Sequence, residues 1–185
     1  VGDAFCDIMV MNRAMLVDII KNCQDVEFTN LTDLIFNNLK KIKVRGYEIG
    51  GYFAEIKSID EYYYHSMEML DILVTRELFL SENKIRTKIK DNPPTKYEKS
   101  GSVKNCLVSS GCKIEGHVEN SIIFRGVTVE KGAKIKNSIV MQNCIIGKNV
   151  LIQNAIIGKV STIRENITLS GKAKSPLVIR KNTVL

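Results

Sequence analysis

Tryptophan is absent from this sequence, and proline and histidine are scarce, with three and two residues in a chain of 185. No run approaches the roughly eighteen consecutive apolar residues that a membrane-spanning helix needs, so we expect no membrane segment. The five cysteines include no C-x-x-C pair, and with two histidines this argues against a zinc site. Reduced thiols in a cytoplasmic protein are the interpretation that this cysteine pattern favours.

Aromatic residues are scarce where positive charge is concentrated. Residues 1–92 carry 12 Lys and Arg against 15 Asp and Glu, whereas residues 93–185 carry 15 against 5. A groove for single-stranded nucleic acid combines basic residues with aromatic rings that stack on bases. The basic half has only Tyr97 and Phe124, so we expect no nucleic-acid partner. A solvated basic surface, or one that binds small anions, is the alternative.

The adjacent prolines Pro93 and Pro94 predict a boundary between two domains, residues 1–92 and residues 93–185. A proline fixes its own φ, lacks an amide donor and restricts the residue before it, so a pair of prolines interrupts regular structure. The two sides of this boundary also differ in pattern, because helical periodicity occurs only before it.

Residues 1–92 are predicted to be mixed α/β. Strands are predicted at residues 5–12 and, as two short strands around Gly50 and Gly51, at residues 43–56. Helices are predicted at residues 13–23, 31–42 and 58–73, and the last begins with a capping box of Ser58 and Glu61. These elements are too few for a complete α/β sheet, so we expect the end of such a domain in a fragment of a longer protein.

Residues 93–185 repeat with a period of seventeen. Asn120, Asn137 and Asn154 are each followed by a small residue and then Ile. Large aliphatic residues recur in steps of five or six, at Ile123, Val129, Ile135, Val140, Ile146, Ile152, Ile157, Ile163 and Leu169. Three steps make one coil with three flat sides, and each side points one aliphatic side chain to the axis. The pattern resembles the left-handed parallel β-helix of hexapeptide-repeat proteins, with about four coils.

Small residues and asparagines also have predicted places in these coils. The small or medium residues expected inside, where space is tight, are Ser121, Ser138 and Ala155 on one side and Val127, Cys144 and Ser161 on another. The three repeated asparagines are expected at one corner, where the backbone needs a positive φ that Gly and Asn tolerate best. Their stacked amides can then form a ladder of hydrogen bonds.

The order of α/β end, proline linker and hexapeptide helix resembles the glucose-1-phosphate adenylyltransferase (ADP-glucose pyrophosphorylase) family. The stretch GYFAEIKSIDEYYYHSMEMLD, residues 51–71, is similar to the family stretch Tyr-Trp-x-Asp-Val-Gly-Thr-Ile-x-x-Tyr-x-x-Ala-Asn-Met-x-Leu. The linker PPTKY and the following SVKNCLVSSGCKIEGHVENSII resemble the start of the family's helix. The resemblance implies that residues 1–92 end a nucleotidyltransferase domain whose Gly-rich loop and first metal-binding Asp are not in this sequence.

The resemblance also implies a catalytic Mg²⁺ in the full-length family, held in part by the Asp of that stretch. Glu55 stands at this position, and Lys57 replaces the Gly two residues later. The extra methylene moves the carboxylate, and a lysine side chain obstructs a place where glycine permits close approach. These changes resemble the GlgD-type companion subunit, so we assign this chain no catalytic, cofactor or metal residues.

The expected function is that of a non-catalytic or regulatory subunit in ADP-glucose synthesis for glycogen, where ATP and glucose 1-phosphate give ADP-glucose and pyrophosphate. Expected partners are a catalytic GlgC-type subunit or a second copy, in a tetramer, and an anionic metabolite as effector. Candidate ligands for that anion, chosen on charge alone, are Arg45, Lys57, Arg125 and Arg164, and solvated surface charge is the alternative. An active sugar nucleotidyltransferase using Glu55, or a hexapeptide acyltransferase using His117, also stays open.

Overall fold

The computed structural model describes residues 5–6, 8–22, 33, 42–80, 85 and 90–185. The chain divides into two compact units, Val1–Gly50 and Gly51–Leu185. The predicted domain boundary between residues 92 and 93 stays a prediction. None of the helices in the described segments is long and apolar enough to cross a bilayer.

In the first unit the described regular structure is helix α1 (Arg13–Lys21), which confirms most of the predicted helix at 13–23. The side chain of Asn12 caps it by accepting a hydrogen bond of 2.8 Å from the Ala14 amide. The predicted strand at 5–12 is wrong, because residues 5–6 and 8–12 form no strand. The predicted helix at 31–42 lies almost wholly outside the described residues.

The strand pair predicted at residues 43–56 is also wrong, because these residues adopt no regular structure. The apolar pattern that suggested strands is solvent-exposed, with Val44 at 57% and Tyr47 at 90%. A strand needs a neighbour for its backbone hydrogen bonds and a layer against its apolar face. Among the described residues, no strand pairs with residues 43–56.

Residues 93–185 form the predicted left-handed parallel β-helix, built from thirteen short strands. They are β1 (Lys96–Tyr97), β2 (Ser102–Val108), β3 (Lys113–Ile114), β4 (His117–Ile123), β5 (Thr128–Val129), β6 (Lys134–Lys136), β7 (Ile139–Val140), β8 (Ile145–Ile146), β9 (Leu151–Gln153), β10 (Ala155–Ile157), β11 (Thr162–Ile163), β12 (Thr168–Ser170) and β13 (Leu177–Ile179).

The strands form three flat sides. Side 1 is the sheet β1-β3-β5-β8-β11. Strands β2 and β4 bend at a corner, so that their first halves join β6, β9 and β12 in side 2 and their second halves join β7, β10 and β13 in side 3. All pairs between these strands are parallel, and the pairing of Ile135 with Ile152 shows the predicted period of seventeen. The coil that joins Ala155 to Leu177 is longer, because residues 172–176 are inserted.

The core of the β-helix is the predicted column of aliphatic side chains. The eight predicted core residues from Ile123 to Ile163 are at most 1% exposed, and Leu169 packs against the end of the column. The six smaller residues predicted to lie inside are fully buried. Burying one Val or Ile side chain contributes about 1.5–3 kcal/mol, so this column stabilises the coils by hydrophobic packing.

The three corners are columns of residues with left-handed backbone. Asn120, Asn137 and Asn154 have φ of 44°, 46° and 49°, as predicted. Their amides form a partial ladder, in which Asn137 Nδ2 donates to Asn154 Oδ1 at 3.3 Å and Asn154 Nδ2 donates to the Gly171 carbonyl at 3.1 Å. Val160 has a φ of 58°, which a β-branched residue rarely adopts.

Four of the five cysteines are described, and all four are free thiols, as predicted. Cys112 and Cys144 are buried, and Cys6 and Cys106 are half-buried. Burial raises the pKa of the Cys106 and Cys144 thiols, so both are protonated at neutral pH. Cys23 lies outside the described residues.

Two helices precede the β-helix in the second unit, α2 (Ile59–Glu68) and α3 (Ile72–Phe79). Helix α2 covers side 3, where Ile122, Ile139 and Ile156 point away from the axis yet are 8%, 0% and 4% exposed. Tyr63 packs on this column, and its Oη donates a 2.5 Å hydrogen bond to the Asn137 carbonyl at the corner. The β-helix thereby fixes the position of α2.

Candidate functional site

The segment that departs from the family pattern leads directly into α2. Lys57 Nζ lies 2.6 Å from Glu55 Oε1, with side-chain exposures of 68% and 40%. The structure therefore brings the two altered positions together as an ion pair. The carboxylate at the position that the family resemblance assigns to a metal ligand is paired with a cation of the same chain.

The N-terminus of α2 fixes the backbone of Lys57. The predicted capping box is confirmed: Ser58 Oγ accepts a 3.1 Å hydrogen bond from the Glu61 amide, and Glu61 Oε2 accepts one of 2.7 Å from the Lys57 amide. The hydrogen bond from the Lys57 amide is the main cause that lowers the pKa of Glu61, and Ser58 and the Lys57 charge add to it. The Lys57 charge is thus shared by Glu55 and Glu61.

The residues around Glu55 do not fit a magnesium ion. Magnesium requires a near-octahedral set of oxygen ligands, usually with one or two carboxylates. Here one oxygen of Glu55 contacts an ammonium group. The described segments contain no cluster of three or more His, Cys, Asp or Glu side chains that could hold a metal. No reaction step through a metal follows from this arrangement.

Tyr52 connects this segment to both helices. Its Oη donates to Glu68 Oε2 at 2.7 Å, and its amide donates to the carboxylate of Glu77 on α3. His65 Nδ1 also lies 2.8 Å from Glu68 Oε2. This cluster was not predicted from the sequence. Its one signal there is the spacing of His65 and Glu68, which places both side chains on one face of a helix.

Burial and the hydrogen bond to Glu68 raise the pKa of Tyr52 to about 12. Burial raises the pKa of Glu68, but hydrogen bonds from Tyr52, His65 and Tyr64 outweigh it and lower that pKa overall. The cluster therefore holds Glu68 ionised and Tyr52 protonated at neutral pH. This arrangement orients the segment before α2 and supplies no exposed nucleophile.

A cleft of about 500 Å³ lies between α2 and the corner of the β-helix that contains Asn137 and Asn154. Its lining residues are Asp60, Glu61, Tyr63, Tyr64, Met67, Asn137, Asn154, Ala173 and Lys174. Ala173 and Lys174 belong to the insertion at residues 172–176, so the longer coil forms one wall. Tyr63 and the corner asparagines already make hydrogen bonds within the protein, and the remaining lining is mainly apolar.

The other predicted residues do not form one site. Arg45 belongs to the first unit. Arg125 follows side 3 and Arg164 follows side 1, so they occupy different corners of the β-helix. His117 is an exposed residue of side 2, with its Nδ1 2.7 Å from Ser102 Oγ. The acyltransferase role of His117 stays a prediction that this surface position does not support.

Comparisons with known proteins match the β-helix separately and nearly the whole chain together. The family model described as "GlmU-like, C-terminal hexapeptide" matches residues 93–174. The chain is 40% identical over 177 residues to "Glycogen biosynthesis protein GlgD" of Bacillus subtilis (strain 168), which covers 96% of this chain and 52% of that protein. It is 38% identical over 178 residues to the protein of the same name in Geobacillus stearothermophilus, with the same shares covered.

Proteins named glucose-1-phosphate adenylyltransferase also match, over shorter stretches. The protein from Acetivibrio thermocellus is 35% identical over 99 residues, which covers 54% of this chain and 23% of that protein. The one from Clostridioides difficile (strain 630) is 32% identical over 167 residues, or 88% of this chain and 43% of the relative. The chain spans about half the length of the GlgD relatives that it matches.

Proposed function

Because this chain belongs to the glucose-1-phosphate adenylyltransferase family and matches GlgD proteins over 96% of its length, we propose that it is part of a glycogen biosynthesis protein. In this proposal the whole protein does not itself make ADP-glucose. It associates with a catalytic GlgC-type subunit, or with further copies of itself in a tetramer, and modulates the synthesis of ADP-glucose from ATP and glucose 1-phosphate.

The observation that carries the non-catalytic role is the ion pair of Glu55 and Lys57. Transfer of a nucleotidyl group depends on a metal ion that bridges and neutralises the phosphates. The position that the family resemblance assigns to a metal-binding Asp holds a longer carboxylate, and its oxygen is 2.6 Å from an ammonium group. A second substitution, Gly to Lys57, produces that contact. Both changes reduce the fitness of this segment for metal-dependent chemistry.

The role in assembly is supported by what the second unit offers. Side 3 carries an outward aliphatic column in which Leu107 pairs with Ile122 and Ile156 pairs with Val178. Helix α2 covers the middle of the column, while Leu107 and Val178 at its ends are 37% and 39% exposed. Exposed apolar residues that extend a buried column are suited to a subunit contact.

An anionic metabolite remains our proposal for the effector. Positive charge is concentrated in residues 93–185, which carry 15 Lys and Arg against 5 Asp and Glu. Arg and Lys side chains bind phosphate oxygens well. Because Arg125 and Arg164 lie at different corners, a single small anion would engage one of them with other groups rather than both.

The test is to purify the whole protein alone and with the catalytic subunit from the same organism, and to measure ADP-glucose formation. We expect no turnover by the protein alone, co-elution of the two subunits, and a changed KM or effector response in the complex compared with the catalytic subunit alone. Full turnover by the isolated protein would overturn the non-catalytic role. Failure to co-elute would overturn the proposed partner.

A further inference from the structure

We propose that Lys57 is a built-in counterion for Glu55, so that this segment excludes the divalent cation instead of binding it weakly. The inference deepens the proposed function and rests on it for the meaning of the Glu55 position. Replacing the lysine while keeping Glu55 is expected to let a metal ion bind, and loss of activity alone would not imply this.

The geometry places the ammonium group where a cation would bind. Lys57 Nζ contacts Glu55 Oε1 at 2.6 Å, which is the distance of a direct charge-assisted hydrogen bond. The lysine is not placed by its side chain alone. Its amide donates to Glu61 Oε2 at 2.7 Å, and the following Ser58 caps α2. The helix start therefore holds the Lys57 backbone two residues from the carboxylate that it neutralises.

The local charge explains why the lysine matters for a divalent ion. Residues 55–61 contain three carboxylates, Glu55, Asp60 and Glu61, and the single cation Lys57. An incoming divalent ion is attracted by the carboxylates but repelled by the ammonium group at close range. Removing one unit charge about 4 Å from a divalent ion raises its affinity by roughly tenfold or more even in the dielectric of water.

The solvent exposure of the Glu55–Lys57 pair allows exclusion of a metal ion to be distinguished from stabilisation of the fold. Exposed ion pairs contribute little to folding stability, and the Lys57 side chain is 68% exposed. Replacing Lys57 should therefore change metal binding while leaving the unfolding midpoint nearly unchanged. A lysine that served only to stabilise the segment would show the opposite result.

The chain contains a matched control. Lys96 Nζ lies 2.7 Å from Glu98 Oε1, the residues are also two apart, and the side chains are 70% and 32% exposed. This second pair has nearly the same geometry as Lys57 and Glu55 but lies on side 1 of the β-helix. In Lys96→Gln the charge of Lys113 still acts on Glu98, so this variant reports on an exposed carboxylate that loses one lysine and keeps the charge of a second.

The experiment is iron-mediated cleavage of the whole protein. Fe²⁺ with ascorbate and peroxide cuts the backbone close to where the ion binds, and mass spectrometry locates the cuts. We expect only background cleavage at residues 52–58 in the wild type, and about tenfold more than this background in Lys57→Gly and Lys57→Gln. The gain should disappear in the double variant Lys57→Gln with Glu55→Gln. Lys96→Gln should produce no comparable cleavage near Glu98.

Two results would overturn the proposal. One is no gain in cleavage at residues 52–58 over the wild type in the Lys57 variants, and the other is an equal gain near Glu98 in Lys96→Gln. The readout locates a bound ion without any turnover. The proposed regulatory function can therefore fail in the activity assay while this inference stands, and the reverse is also distinguishable.

Discussion

The β-helix and the segment at residues 42–57 have similarly apolar sequences but opposite structures. In the β-helix, the aliphatic residues that recur every five or six positions are almost completely buried. In the segment, Val44, Ile49 and Ile56 are 57%, 50% and 58% exposed, and no strand forms. Both regions are rich in β-branched and apolar residues, so composition does not explain the difference.

The difference lies in where the pairing partners are. Each coil of the β-helix finds its neighbour seventeen residues away, so the repeat supplies both the hydrogen-bond partner and the apolar layer. Residues 42–57 contain no repeat, so any strand that paired with them would have to come from a part of the protein with a different sequence. A repeated sequence therefore specifies its own fold locally, whereas an isolated strand pattern does not.

The largest expected effect comes from Ile146→Ala, which removes a fully buried side chain from the central column. We expect a loss of about 2–5 kcal/mol in the free energy of unfolding, because a cavity is added to the lost transfer energy. Urea unfolding followed by circular dichroism measures it. Ile56→Ala, at a side chain that is 58% exposed, should change stability by less than about 0.5 kcal/mol. Similar losses in both variants would contradict the comparison.

The corner columns allow a smaller test of the same repeat. Asn143 and Val160 occupy one corner in successive coils with φ of 57° and 58°. A residue with a branched side chain pays about 1–2 kcal/mol for this backbone relative to Asn or Gly. Val160→Asn should therefore stabilise the protein by about 1 kcal/mol, and Asn143→Val should destabilise it by about 1–2 kcal/mol. Shifts of the same sign in the two variants would mean that packing, rather than backbone conformation, decides at this corner.

The repeat explains how much of the fold could be predicted from the sequence. The axial column, the small interior residues and the asparagine corner follow from a period of seventeen, because coil geometry fixes which positions face inward. Helices α1 and α2 follow from local periodicity and caps such as Ser58. The strands at 5–12 and 43–56 were wrong for the opposite reason, since a strand depends on partners that local sequence does not specify.

The candidate site could be predicted only in part. The sequence identified Glu55 and Lys57 as altered positions, because each departs from a family pattern. It did not predict that they form an ion pair, or that Tyr52 reaches Glu68 and Glu77. These contacts depend on where the side chains of the segment before α2 point, and on how α2 and α3 are placed beside that segment. Arg45, Arg125 and Arg164 also could not be placed from the sequence. They were chosen by charge, and charge alone does not indicate which residues lie together.

A substitution at the contact between α2 and the β-helix tests whether the β-helix also anchors a helix outside its repeats. Tyr63→Phe removes the hydrogen bond from Oη to the Asn137 carbonyl and leaves that acceptor without its partner. We expect a loss of about 1 kcal/mol in the free energy of unfolding. Tyr64 is the neighbouring control, because its side chain is 61% exposed, and Tyr64→Phe should have a smaller effect. Equal effects would argue against a specific anchor at Asn137.

The smallest expected effect concerns Tyr52, which fastens the irregular segment to the helices. Its pKa is raised to about 12 by burial and by Glu68, compared with about 10 in an unfolded chain. A raised pKa favours the neutral hydroxyl in the folded state. The stability that this group contributes is therefore complete below about pH 10 and is lost as the pH approaches the folded value. Tyrosinate absorbance should show a late component that Tyr52→Phe reduces, and the raised pKa values of Tyr63 and Tyr64 account for the remainder.

The causes of this shift can be separated by Glu68→Gln. Because burial is the largest cause and Glu68 the next, the variant should move the Tyr52 step part of the way toward pH 10 rather than abolish the shift. Tyr97→Phe, at an exposed tyrosine of β1, should leave the late step in place. If Glu68→Gln left the step unmoved, the hydrogen bond between Tyr52 and Glu68 would not hold in solution. The segment that carries Glu55 and Lys57 would then be attached to the helices through its capping contacts with α2 and the contact of the Tyr52 amide with Glu77 on α3.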